Sequence, residues 1–221
     1  MINKLLFFYL DGIAPFLPLS VFLVRYRSIE LKGKHWALLF FVICCVGFLT
    51  ADYIYDKGDN NLRVYNVIPL LWTLDMFFFF RQVFRKEAYR YVNAFLLCAI
   101  LVLYATSTGY FIDNNSFASI YYISFSLFIL INVVCYYIQE FTMMEEVPVW
   151  RKKEFWFLSV ILFYAAISAV IWSFFKMLVD RGKLNNYSND ELKYVGDLWK
   201  LHNFVFAFSC IIFSIILFRK K

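Results

Sequence analysis

Four side chains able to carry charge or move a proton lie inside otherwise apolar runs of this chain: Asp11, Asp75, Lys200 and His202. In hydrocarbon such groups are costly, so they turn toward a bundle interior, where they can hold a polar ligand, a cation or a proton. Spacing decides which of them can act together. At about 100° per residue, Lys200 lies about 300° and His202 about 140° from Asp197, so Lys200 and His202 stand about 160° apart and cannot both face inward. We expect His202 inward, sharing a face with Trp199 and Asn203 and placed to bond Asp75; otherwise a carbonyl or serine of the sixth helix satisfies it. Lys200 then pairs with Asp197, its i,i+3 neighbour at the interface, or snorkels outward.

Depth groups the candidates. At 1.5 Å per residue, Asp11 and Lys200 lie roughly 9 Å below the outer edge of their helices, His202 roughly 12 Å and Asp75 roughly 17 Å, near the midplane. All belong to the outer half or the centre. Proline adds acceptors there: Pro15 leaves the carbonyl of Asp11 without its helical donor, Pro18 that of Ala14, and Pro69 that of Tyr65. The expected site is a polar pocket open to the outside, lined by Asp11, Tyr65, Asp75, His202 and Asn203. The plainer alternative is that neighbouring helices satisfy the freed groups.

The elements that must position these residues are seven long apolar segments, with little chain left over. The chain has 221 residues, 62% apolar and 23% aromatic, with 28 phenylalanines and a mean hydropathy of +0.64. A membrane helix needs about 20 apolar residues to cross about 30 Å of hydrocarbon. The segments run from about Leu5 to Val24, Trp36 to Tyr55, Val64 to Phe84, Tyr91 to Ile112, Phe117 to Ile138, Phe155 to Leu178, and Tyr194 to Phe218. The fold class is therefore an all-α membrane protein, a bundle of seven transmembrane helices forming one domain over residues 1–221. Asp113 to Ser116 should make a tight turn, and Val179 to Lys193 the longest loop. Lys4 followed by an apolar stretch starts like a signal peptide, but Asp11 interrupts it and no cleavage pattern follows, so the first helix is expected to be retained.

Orientation follows from lysine and arginine. Fourteen of the 22 fall on one side: Arg25, Arg27, Lys32 and Lys34, then Arg81, Arg85, Lys86 and Arg90, then Arg151 to Lys153, then Arg219 to Lys221. That side is expected to be cytoplasmic, with the N-terminus outside and the C-terminus inside a bacterial cytoplasmic membrane. The same bias explains the net charge of +6 and pI of about 9.0 without a nucleic-acid partner. The cysteines Cys44, Cys45, Cys98, Cys135 and Cys210 sit in apolar runs at no metal-binding spacing. No phosphate loop, zinc-protease motif or Ser-His-Asp pattern occurs. We expect neither cofactor nor metal, no catalytic set, and a protein that is more readily a non-enzyme.

The stretch Asn60 to Tyr65, leading to the acid of the third helix at Asp75, resembles a group of uncharacterised bacterial seven-helix proteins. So does Leu198-Trp199-Lys200-Leu201-His202-Asn203 in the seventh helix. In that group Glu often stands at the position of Asp75, and an apolar residue at that of Lys200. Such proteins are often encoded beside sensor histidine kinases, which implies signalling, with Asp75, His202 and Asn203 as the matching polar positions.

Three functions follow, in order of preference. The first is a sensory or accessory signalling protein that binds a small ligand or partner from outside and passes a helix shift to a membrane or cytoplasmic partner. The second is a small-solute or proton-coupled transporter, which the carboxylates suit, although no inverted repeat is visible. The third is a lipid-modifying membrane enzyme using Asp11, Asp75 and His202.

Overall fold

A computed structural model describes residues 10–107, 118–143, 147–185 and 189–219, with the side chains of 179–192 outside the description. No strand occurs among them. The helices are α1 (Leu10–Ile13), α2 (Phe16–Arg25), α3 (Lys34–Asp56), α4 (Leu62–Val83), α5 (Glu87–Thr106), α6 (Ser119–Thr142), α7 (Lys153–Asn185) and α8 (Asn189–Phe218), with short 3-10 turns at Tyr26–Ser28 and Val149–Arg151. Among the described residues six stretches are long and apolar enough to cross a membrane: Lys34–Asp56, Leu62–Val83, Glu87–Thr106, Ser119–Thr142, Lys153–Leu178 and Lys193–Phe218. The first expected helix, Leu5 to Val24, is seen from residue 10 onward as the two pieces α1 and α2.

The break falls where the prolines predict a kink. Ala14 and Pro15 form a turn between α1 and α2. The Ala14 carbonyl, freed by Pro18, accepts the Leu17 N–H at 3.1 Å instead. At the other end of the chain the expected loop Val179 to Lys193 is mostly helix, because α7 continues to Asn185 and α8 begins at Asn189. The 33 residues of α7 reach about 50 Å, well beyond the hydrocarbon thickness. Once a helix leaves lipid its backbone bonds remain satisfied, so polar residues such as Asp180, Arg181 and Lys183 extend it at little cost. The expected turn at Asp113 to Ser116 lies outside the described residues.

The helices close a ring in the order α2, α3, α4, α6, α7, α8 and back to α2, with α1 lodged against α3 and α8. Helix α5 stands outside the ring against α4 and α6. Its spanning window is 17% buried, against 56% for α6. Lipid tails are as apolar as the side chains, so packing, not expulsion from water, holds such a ring together. Aromatic rings fill it. Trp72 of α4 meets Phe48 of α3 at 5.9 Å, Phe125 of α6 at 5.2 Å and Phe206 of α8 at 6.5 Å. Nearer the basic end Phe213 of α8 meets Phe41 at 5.3 Å and Phe157 of α7 at 4.9 Å. Each such pair contributes about 0.5–1.5 kcal/mol beyond its area. Gly47 lets α3 approach α4 closely: a Cβ there would meet the Ile68 side chain at 3.0 Å.

Short polar ties fasten the basic end. The Gln139 side-chain carbonyl accepts the N–H groups of Arg85 at 2.8 Å and Lys86 at 3.2 Å, stitching the α4–α5 junction to α6. Glu140, buried, pairs with Lys152 ahead of α7. Asn93 donates to the carbonyl of Phe77 at 3.0 Å and so binds the outlying α5 to α4.

Candidate functional site

Asp11 lies in α1, one turn before the chain break that the prolines create. It is buried, its Oδ1 accepts the N–H of Gly12 at 3.0 Å, and its Oδ2 accepts the Tyr65 hydroxyl at 3.5 Å. A second carboxylate lies beside it. A Cβ on Gly12 would stand 2.9 Å from Asp52 Oδ2, so glycine is what lets Asp52 of α3 come this close to the α1 backbone. Spacing along the sequence gives no sign of Asp52, since only the packing of α1 on α3 brings it here.

Tyr65 joins this corner to the ring. Pro69 has no N–H for the Tyr65 carbonyl, and the Tyr122 hydroxyl of α6 donates to it at 3.0 Å. The freed acceptor is thus met by a neighbouring helix. The Tyr65 ring stands edge-on to Trp199 of α8 at 5.1 Å, and Tyr122 packs on Trp172 of α7 at 4.7 Å. Trp172 in turn lies 4.7 Å from the ring of His202.

His202 faces inward and is buried, as is Asn203. The expected bond to Asp75 does not form. His202 Nε2 instead lies 3.0 Å from the hydroxyl of Tyr164 on α7. The reason is a layer of rings between the two. Phe206, one turn along from His202, packs on Trp72, which lies one turn before Asp75. Tyr164 could have been suspected, because Phe157, Ile161, Tyr164, Ser168 and Trp172 follow the spacing of one helical face. Asp75 lies below that layer with 3% of its surface exposed, and neither carboxyl oxygen has a hydrogen-bond partner among the described residues. Lys200 does what the angles require: its Nζ lies 2.7 Å from Asp197 Oδ1, with both side chains exposed.

The polar residues therefore fall into three groups. Asp11, Asp52 and Tyr65 form one, His202 and Tyr164 a second, and Asp75 stands alone. The aromatic contacts from Tyr65 through Trp199, Trp172 and Tyr122 connect the first two. Four cavities among the described residues lie away from all five expected pocket residues: three at the basic end and one between α7 and α8 near Asp197. The five cysteines are free thiols, and no cluster of three metal-ligating side chains occurs among the described residues. Comparison with family models, with curated proteins and with solved structures yields no match.

Proposed function

We propose that this chain is a multi-pass bacterial inner-membrane protein of seven spans, with α1 and α2 completing the seventh, that receives a small ligand or partner at the end opposite its basic loops. It passes a helix shift to a membrane or cytoplasmic signalling partner at the basic end. The observation that carries this reading is the continuous contact from Asp11 and Tyr65 through Tyr122 and Trp172 to His202, which joins the broken first helix to α4, α6, α7 and α8. A ligand that moves α1 against Tyr65 must disturb every helix of that chain, because packed interiors adjust as units.

A second reading, a proton-coupled transporter, is favoured by one observation: the lone carboxyl of Asp75 inside the ring. Thermal melting of purified protein against a panel of amino acids, sugars and organic acids separates the readings, since a ligand of the folded state raises the melting temperature by mass action. The signalling reading expects a solute that stabilises wild type and Lys200→Ala but not His202→Ala. A shift lost in Lys200→Ala and kept in His202→Ala would place the site around Lys200 instead. Wild-type vesicles that dissipate an imposed pH gradient with that solute, while Asp75→Asn vesicles do not, would replace signalling with transport.

A further inference from the structure

At the basic end, the first turn of α3, the last turn of α4 and the first turn of α5 converge on a cavity of about 410 Å³ lined by Trp36, Phe78, Arg81, Gln82 and Arg90. Its lining holds two guanidinium groups and no carboxylate. Arg90 is fixed in place because its Nε donates to the Phe84 carbonyl at 3.0 Å, which leaves the outer edge of its fork for a ligand. Arg81 has no hydrogen-bond or ion-pair partner among the described residues. Gln82 is held by His35, with Nε2 of each 2.9 Å apart. The floor is Trp36 stacked on Phe78 at 4.7 Å. The indole Nε1 of Trp36 is buried, with no acceptor among the described residues.

Two arginine forks and an amide around one cavity match the several acceptor oxygens of a phosphate group. The volume exceeds what a bare phosphate fills. The position is the interfacial end of three helices, and the exposed apolar residues Phe78, Leu71 and Val67 descend from it along one face of α4. Basic pockets between helix ends at this level take anionic headgroups. We propose that this cavity binds the phosphate of an anionic phospholipid, with an acyl chain laid along the α4 face. Either leaflet can supply such a lipid, so the proposal is independent of the orientation and signalling readings above.

Native mass spectrometry of delipidated protein titrated with phosphatidylglycerol or phosphatidylcholine tests it. Wild type is expected to bind phosphatidylglycerol at least about tenfold more tightly, and Arg81→Ala or Arg90→Ala to remove about tenfold of that affinity. Arg81→Lys should recover only part, since an ammonium lacks the fork. If Arg90→Ala fails to fold for want of its bond to Phe84, Arg81→Ala carries the test alone. Equal binding of the two lipids, or selectivity that survives Arg81→Ala but is lost in Arg27→Ala and Arg151→Ala, two residues that line another cavity at the basic end, overturns the proposal. So does an Arg81-dependent rise in melting temperature with inorganic phosphate alone and no lipid preference, which would make the occupant a soluble phosphate.

Discussion

Asp75 concentrates the question of function in one side chain. A buried carboxyl without partners is destabilising, because the desolvation of each group left unsatisfied costs about 1–3 kcal/mol. Asp75 meets that description, with both oxygens buried and without a hydrogen-bond partner among the described residues. Replacing it with leucine, of similar reach and apolar, is therefore expected to raise stability by about 1–3 kcal/mol. Thermal melting of the two proteins in the same detergent decides. A lower melting temperature for Asp75→Leu would mean that the carboxyl is structurally engaged, and the transport reading would lose its motivating observation. His202 presents the opposite case. Tyr164 satisfies it and the rings of Trp172 and Tyr164 surround it, so any role it has in ligand response acts through that contact.

Helix irregularity is where the elements of this protein are tied together. Pro69 sits inside α4, and the carbonyl it leaves free is bonded by Tyr122 of α6. The two residues should therefore be energetically coupled. In wild type, Tyr122→Phe orphans the Tyr65 carbonyl and is expected to cost about 1–2 kcal/mol. In a Pro69→Ala background the restored N–H of residue 69 takes the same carbonyl, and the cost of Tyr122→Phe should fall below about 0.5 kcal/mol. A double-mutant cycle by unfolding in mixed micelles measures the difference. Equal costs in both backgrounds would show that the hydroxyl contributes nothing through Tyr65. The break at Ala14 and Pro15 has the same character: it ends the short α1, in which Asp11 accepts the Tyr65 hydroxyl and Gly12 is approached by Asp52.

The described helices close a ring with α5 outside it, the buried Asp11, Tyr65 and His202 toward one end and most of the cations at the other. Arg25 donates to the carbonyl of Phe218 and lies 4.9 Å over its ring, so the ends of α2 and α8 meet among those cations. If the basic end is cytoplasmic, as the lysine and arginine bias requires, a reporter fused after Arg219 should be active in the cytoplasm, and a tag ahead of α1 should be reached from outside. A C-terminal reporter active only outside would invert the molecule. Both reporters on one side would mean that α1 and α2 do not cross.

Residue types and their periodicity alone were enough for the helical, apolar class of this protein. Long apolar runs in a medium without water admit helices and little else. Six helices long and apolar enough to cross a membrane fall where six of the seven expected spans were placed, although the one expected at Tyr91 to Ile112 begins at Glu87 and is described only to Thr106 as helix. Local geometry was legible too. The angular argument separates Lys200 from His202 because both lie on one rigid helix, and the prolines mark where a backbone bond must be missing. What spacing could not supply was anything that depends on how helices meet. The register of α4 against α8 puts the Trp72–Phe206 layer between His202 and Asp75. The packing of α1 on α3 brings Asp52 to Asp11, and α7 turns Tyr164 toward His202. Each of these contacts joins residues far apart in the chain, and a one-residue change of register would exchange its partners, so tertiary packing alone decided which polar groups share a site.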